Sequence, residues 1–313
     1  MSFDLKSGMI AVVQWCMVNR IRQNNRKNMK VQAQNEWDLE IQPKNKLFDL
    51  QLKEVWHYRD LMWLFVKRDF VAQYKQTILG PMWHVIQPAL TTMMFLLVFG
   101  KIARIPTDGI APAAFYMAGL TIWNYFAACL NGTSGTFTSN ASIFGKVYFP
   151  RIVMPLSVVI SNMVKFAIQF ALLIFVIIYY HFNGYPLQLS ANLLFIPFIV
   201  LLMAGIGLGL GIIISSVTTK YRDFAVLLSF AVQLLMYATP VIYPLSYLQG
   251  KSFRWLVDIN PLSPVVESFK YVLFSKGYVD PLHILYSIIF MLLSVGIGYI
   301  IFNRVEKSFM DTV

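Results

Sequence analysis

The amino-acid sequence predicts an all-α integral membrane protein with six transmembrane helices. The chain is 57% hydrophobic and only 13% charged, whereas soluble domains usually carry about twice that charged fraction. Mean hydropathy is +0.59. Apolar stretches of the length that crosses a bilayer, about 20 residues, recur from residue 82 onward. The two cysteines and the four scattered histidines lack the spacing of a disulfide framework or a metal site.

Residues 1–34 form a basic N-terminal extension, in which a run of Arg and Lys between Arg20 and Lys30 is suited to anionic lipid. The apolar segment Met9–Val18 is too short to span and lacks the basic lead and cleavage site of a signal peptide. Residues 35–81 are interpreted as a cytosolic segment. Its first part, Trp37–Ile41, alternates apolar and polar residues and predicts a short strand.

The stretch Leu52–Tyr74 predicts an amphipathic helix. Apolar side chains recur at three- and four-residue steps, and charged ones fall between them. Such a helix lies in the headgroup plane of a membrane, here with Trp63 and Phe70 in the acyl boundary. The alternative is a surface helix of a soluble domain, which the absence of any other soluble domain disfavours. The helical pattern runs without a clear break into the first apolar span.

Residues 82–313 contain the six predicted spans: Met82–Gly100, Ala113–Leu130, Ile152–Tyr180, Leu193–Val217, Phe224–Thr239 and Leu282–Phe302. The third is long enough that it must tilt, bend near Pro155 or project from the bilayer. The fifth is short. In the fourth, Gly205/Gly209 and Gly207/Gly211 form two small-xxx-small pairs that allow close helix packing.

Lys and Arg residues set the expected orientation, with both termini in the cytoplasm. Over the whole chain, 19 of them fall on the inner side and six on the outer side; near the membrane the counts are nine and six. The segment 240–281, between the fifth and sixth spans, is apolar and broken by prolines. Irregular backbone of this kind is tolerated at membrane depth only inside protein or along a cavity. It predicts two short re-entrant or interfacial helices that cap the outer end.

Two sets of side chains are candidates for a transport path. Lys165 is the one charge clearly within a span, so it either faces a cavity or partner or snorkels toward the outer interface. The aromatic side chains form either a surface on which sugars slide or, more simply, core packing and an interfacial belt. The aromatic candidates are Tyr116, Trp123, Tyr125, Phe126, Tyr237, Tyr243 and Tyr247.

Several function classes lack support in the sequence. There is no P-loop motif, so the chain is not expected to bind ATP itself. No Ser-His-acid or paired-carboxylate arrangement has a plausible site, and one mid-span charge does not make a proton relay. The net charge of +11 is typical of basic residues that flank membrane spans, so no nucleic-acid partner is predicted.

Five segments together resemble a known family. They are Tyr58–Pro88 (YRDLMWLFVKRDFVAQYKQTILGPMWHVIQP), Asn140–Arg151 (NASIFGKVYFPR), Thr219–Asp223 (TKYRD), Met236–Pro244 (MYATPVIYP) and Ile259–Lys270 (INPLSPVVESFK). In this order and at this spacing, the chain from about Trp37 onward resembles type-2 ATP-binding-cassette permeases that export bacterial polysaccharides such as O-antigen, capsule or teichoic acid.

The resemblance implies a homodimer with a channel between the protomers and a separate ATPase dimer below it. ATP and Mg would bind that ATPase, and no cofactor would bind this chain. Leu52–Tyr74 would be the interface helix, with Trp63, Arg68, Asp69, Phe70 and Tyr74 near the cytosolic entrance. A coupling helix would hold Ile143, Phe144, Lys146, Val147 and Tyr148. Pro240–Phe274 would contain two outer gate helices. The family more often has arginine at the position of Lys270, so a bidentate contact is not implied here.

The function predicted from these observations is export of a lipid-linked polysaccharide across the bacterial inner membrane. Three alternatives share some of the features: a type-2 exporter of a smaller lipid or drug, a membrane-embedded lipid-modifying enzyme, and an ATP-independent lipid carrier or scramblase. The first would not need an extended aromatic surface. The second would need a catalytic cluster, and the third would have no ATPase partner.

Overall fold

A computed structural model describes residues 52–75, 77–144, 149–185, 191–221, 223–252 and 254–310. Within those ranges every regular element is helical. The basic extension 1–34 and the predicted strand Trp37–Ile41 lie outside the described residues.

Eleven α-helices are described in these ranges, together with short 3₁₀ turns and one π-helical stretch at Leu96–Ile102 that prolongs α3. The α-helices are α1 Leu52–His57, α2 Arg59–Tyr74, α3 Trp83–Phe95, α4 Pro112–Ser134, α5 Thr136–Phe144, α6 Val153–Phe182, α7 Ile196–Thr218, α8 Phe224–Tyr237, α9 Arg254–Ile259, α10 Leu262–Phe274 and α11 Pro281–Met310.

Five helical segments are long and apolar enough to cross a membrane: Gly80–Ile102, Pro112–Ser134, Val153–Phe182, Asn192–Thr218 and Pro281–Val305. They agree with five of the predicted spans to within a few residues at most ends. The remaining prediction, the fifth span Phe224–Thr239, corresponds to α8, whose 14 residues extend only about 21 Å. A hydrocarbon core is about 30 Å thick, so α8 alone is too short to cross it. In α6, Pro155 lies in the first turn, where a proline costs no intrahelical hydrogen bond.

The junction between α2 and the first span differs from the prediction in two ways. The helix ends at Tyr74, and the backbone at Gly80 has a φ of +50°, which a continuous helix cannot contain; the expected continuity was wrong. The helix also has apolar side chains on two sides rather than one. Phe65 and Val66 are buried, whereas Trp63 is 65% exposed. One side therefore packs on the bundle and the other is left for lipid.

Helix α4 is the centre of the bundle and packs against α3, α6, α7, α8 and α10. Close contact depends on positions without a side chain. A Cβ at Gly119 would lie 2.5 Å from the carbonyl oxygen of Val241, and one at Gly207 would lie 3.0 Å from Cys129 Cβ. On α7, Gly207 and Gly211 face α4, while Gly205 and Gly209 face α11. The two predicted small-residue pairs are therefore confirmed as packing surfaces, each for a different neighbour.

The two ends of the bundle are called the near end and the far end, and each is defined by its helices. The near end carries α2, α5 and the start of α6, around a core that includes Phe65, Phe137, Phe144 and Phe302. The far end carries α9, α10 and the loops that follow the π-helical stretch and α8. The larger core, centred on α4, fills the middle and the far end.

We expect Gly119→Ala to destabilise the protein, because the added methyl group would collide with the backbone of Val241, which cannot rotate away as a side chain would. Overpacking of this kind costs about 1–3 kcal/mol, and each kcal/mol lowers the melting temperature by about 2–4 °C in a chain of this size. Gly296→Ala on α11 is the control, because a Cβ there meets nothing within 4 Å. Thermal unfolding in detergent that gave the two variants equal melting temperatures would contradict the packing described.

Candidate functional site

The chain just after α8, residues 238–244, is not helical, and a side chain of α10 bonds to its backbone. Lys270 is 1% exposed. Its Nζ donates hydrogen bonds to the carbonyl oxygens of Pro240, at 2.5 Å, and Val241, at 3.3 Å. The same ammonium group lies 3.7 Å from the centre of the Phe115 ring, a cation–π contact. Lys270 therefore joins the chain that follows α8, its own helix α10 and the central helix α4.

Glu267, one turn before Lys270, is the second buried charged residue of α10. Its carboxylate accepts a hydrogen bond from the backbone N–H of Leu245, and its Oε2 is buried without a partner. Burial raises the pKa of Glu267, and the positive charge of Lys270 opposes that rise. Burial likewise lowers the pKa of Lys270 to about 8, and the charges of Glu267 and Asp108 oppose that change. Each residue thus reduces the cost of burying the other.

Further hydrogen bonds close the far end. Asn260 Nδ2 donates to the Ala238 carbonyl oxygen at 3.1 Å and to Thr239 Oγ1 at 2.8 Å, and its Oδ1 accepts the backbone N–H of Leu262 at 3.0 Å. Ser246 Oγ donates to the Asp108 carboxylate. The segment 240–281 predicted to cap the bundle is therefore tied to α8, to α10 and to the loop before α4.

The aromatic candidates separate into two groups. The four on α4 are Tyr116, Trp123, Tyr125 and Phe126, each no more than 3% exposed. They belong to the core, as the simpler interpretation predicted, and they form no sugar-binding surface in this conformation. At the far end, Tyr237 is 55% and Tyr247 is 40% exposed, and the Tyr243 hydroxyl donates to the Tyr237 carbonyl oxygen at 2.9 Å.

The near end holds the residues assigned to the interface helix. Arg68 and Asp69 form a salt bridge of 2.7 Å, and the Arg68 guanidinium stacks on Phe65 at 4.9 Å. Phe70 packs edge-on against Tyr74, with ring centroids 4.6 Å apart. Burial raises the pKa of the Tyr74 phenol, so this hydroxyl remains a proton donor at neutral pH.

Lys165 lies in the half of α6 nearer to α2. It is partly buried and interacts electrostatically with Asp69 of α2, His84 of α3 and Cys129 of α4. The two alternatives for Lys165, facing a cavity or partner and snorkelling toward the outer interface, stay predictions. The sequence did not single out His84, because an isolated histidine at the start of a span carries no signal of its own.

The predicted coupling segment is described only in part. Ile143 is partly exposed in α5. Phe144 is 4% exposed, between Phe149 and the Arg151 guanidinium, whose Cζ is 5.1 Å from the ring centre. Lys146, Val147 and Tyr148 lie outside the described residues. The role of these five residues in contacting an ATPase stays a prediction, and Phe144 has a structural role in either case.

The chain is similar in sequence to a known protein family and to several named proteins. Residues 60–274 match the profile of the ABC-2 type transporter family. The chain is 30% identical over 255 residues to the O-antigen export system permease protein RfbA of Klebsiella pneumoniae, an alignment that covers 80% of this chain and 94% of the relative. It is 28% identical over 266 residues to RfbA of Myxococcus xanthus, covering 84% and 98%. It is 22% identical over 247 residues to the polysialic acid transport protein KpsM of Escherichia coli, covering 78% and 93%.

We expect Lys270→Met to destabilise the far end, because it leaves the carbonyl groups of Pro240 and Val241 buried without a donor. Each such group costs about 1–3 kcal/mol. Lys276→Met is the matched control: Lys276 Nζ also donates to a backbone carbonyl oxygen, that of Gly109 at 2.6 Å, but in an exposed site, where water replaces the bond. Melting temperatures in detergent check the difference. A loss for Lys276→Met as large as for Lys270→Met would show that burial is not the cause.

Proposed function

This chain belongs to the ABC-2 type transporter family, and from that membership we propose that it moves a lipid-linked polysaccharide, O-antigen or capsule, across the bacterial inner membrane. It is a multi-pass membrane protein and the permease subunit of an ATP-binding-cassette polysaccharide exporter. The observation that carries this conclusion is the alignment with the RfbA permeases, which covers 94% and 98% of their lengths. Both ends of the bundle are therefore included.

The chain is a transporter membrane subunit and not itself a catalytic enzyme, so its energy must come from elsewhere. We propose that a separate ATPase dimer binds ATP and Mg and docks at the near end, which then faces the cytosol with both termini. The segment Ile143–Tyr148 would transmit closure of the ATPases to the bundle. Its position supports this role, because α5 packs on α7 and Phe144 anchors it to the near-end core.

We further propose that two copies form the channel. The lateral faces of α3 and α8 are apolar and exposed; Met93 is 64%, Phe230 is 61% and Leu234 is 54% exposed. In a homodimer these faces would meet each other or lipid. Helix α8 would be the fifth span, completed by the irregular chain that follows it, and α9 and α10 would be the outer gate helices held by Lys270.

An exporter of a smaller lipid or drug remains the second candidate. It is favoured by one observation, the burial of all four aromatic candidates on α4, which removes part of the surface that a long glycan would need. The names of the relatives weigh against it, since those proteins export O-antigen or transport polysialic acid.

Inactivation of the gene should abolish the surface polysaccharide while lipid-linked glycan accumulates on the inner face of the membrane. Immunoblots of surface glycan and extraction of undecaprenyl-linked intermediates measure both quantities, and complementation with the intact gene is the control. Normal surface polysaccharide in the inactivated strain would refute the proposed substrate. Loss of a different exported lipid or drug would favour the second candidate.

For the coupling segment, Ile143→Glu should reduce co-purification of the ATPase at least tenfold, because it places a charge in an apolar docking contact. Ser142→Ala, an exposed neighbour on the same helix, is the matched control and should bind normally. Phe144→Ala should instead lower the melting temperature, since truncating a buried phenylalanine costs about 3–5 kcal/mol. Undiminished ATPase binding by Ile143→Glu would remove the proposed role of this helix in docking.

A further inference from the structure

Three side chains lie at the near end on three helices that pack together, since α6 contacts both α2 and α3. Lys165 on α6 has a half-buried ammonium group that makes no hydrogen bond or salt bridge with the described residues. Tyr74 on α2 has a hydroxyl that is buried without a partner among those residues. His84, at the start of α3, packs edge-on against the Tyr74 ring with centroids 5.6 Å apart, and it interacts electrostatically with Lys165.

The positive charge of this cluster has no acidic residue to itself among the residues that the structure describes. Asp69 is the acidic residue within electrostatic range of Lys165, but its Oδ1 already accepts two hydrogen bonds from Arg68, at 2.9 and 2.7 Å. The third neighbour, Cys129, is a buried free thiol with no charge to offer. A lysine in a membrane span is costly unless it faces a partner or a cavity, so the unused charge points to a ligand.

The donors define the chemistry of that ligand. An ammonium group, a phenolic hydroxyl and an imidazole N–H all donate, so the complementary group must be an anion with several acceptor oxygens. Phosphate groups match this description, and lysine binds them as a point charge. The surroundings are apolar: Trp83, next to His84, is 49% exposed, and Trp63 is 65% exposed. A phosphate that carries an acyl or prenyl chain would have its charge at the cluster and its chain in the bilayer.

We propose that Lys165, His84 and Tyr74 bind the phosphate headgroup of the lipid carrier as it enters between α2, α3 and α6. This inference rests on the proposed function and names the binding site for its substrate. Gln73, whose Nε2 lies 3.5 Å from His84 Nε2, is the positioning residue that orients the imidazole. Helix α2, the interface helix, would then form one wall of the headgroup site and would also contact lipid.

The test measures binding of farnesyl diphosphate, a short polyprenyl diphosphate, to the purified full-length chain in phosphatidylcholine nanodiscs. Lys165→Met should weaken binding about tenfold or more, because it removes a charge-assisted contact. Lys165→Arg should restore most of it. Tyr74→Phe should weaken binding severalfold, and since it removes one hydroxyl without changing the ring it remains informative if Lys165→Met folds poorly. Lys101→Met, at the other end of the first span, is the matched control for loss of one positive charge.

Two further binding measurements identify which lipid supplies the phosphate group. Farnesol, which lacks the diphosphate, should bind at least tenfold more weakly. Binding that persists when phosphatidylglycerol is added to the nanodiscs supports the lipid carrier as the ligand; displacement by phosphatidylglycerol overturns that assignment in favour of a bilayer phospholipid. Equal affinity of Lys165→Met and the unsubstituted chain, or an equal loss in Lys101→Met, would overturn the site itself.

Export in cells separates this inference from the proposed function. If the gene is required for surface polysaccharide but Lys165→Met and Tyr74→Phe export and bind normally, the headgroup site is wrong and the proposed function stands. If the gene is not required, the proposed function fails whatever the binding result.

Discussion

The structure depends on hydrogen-bond donors for the backbone carbonyl groups of the non-helical segment that lies within the membrane bundle. Lipid offers no hydrogen bonds, so every such group needs a partner from the protein. After α8 the chain contains Pro240 and Pro244 and cannot continue as a helix. Lys270 supplies the donors to Pro240 and Val241, and Asn260 supplies one to Ala238. Because these donors sit on or beside α10, they tie that helix, which packs against α4 and α7, to the irregular chain after α8.

The two ends of the bundle place different polar groups in apolar surroundings. At the far end, Lys270 is fully buried and bonded, and Ser246 and Lys276 tie the remaining loops to Asp108 and Gly109. At the near end, Lys165 and the Tyr74 hydroxyl make no hydrogen bond with the described residues. Those near-end donors are the ones that the proposed headgroup site would use.

Much of this arrangement could be predicted from the sequence, because apolar length and small-residue spacing are local properties. The spans around α4, α6, α7 and α11 were predicted to within a few residues at most ends, and both glycine pairs on α7 proved to be packing surfaces. The break after Tyr74 was missed because it depends on one left-handed residue, Gly80. The proximity of Asp69, His84 and Lys165 joins residues far apart in the chain, which periodicity cannot reveal. The burial of Tyr116 and Tyr125 followed from the central position of α4, and composition does not say which span is central.

Inside-out membrane vesicles provide the most direct measurement of the central claim, that this chain exports a lipid-linked polysaccharide using an ATPase supplied by another subunit. Vesicles containing the chain and its ATPase would be given a radiolabelled lipid-linked glycan, and the fraction protected in the lumen would be measured with and without ATP. The account predicts protection that requires ATP, this chain and the ATPase together. Protection that is equal without ATP, or equal when this chain is omitted, would contradict it.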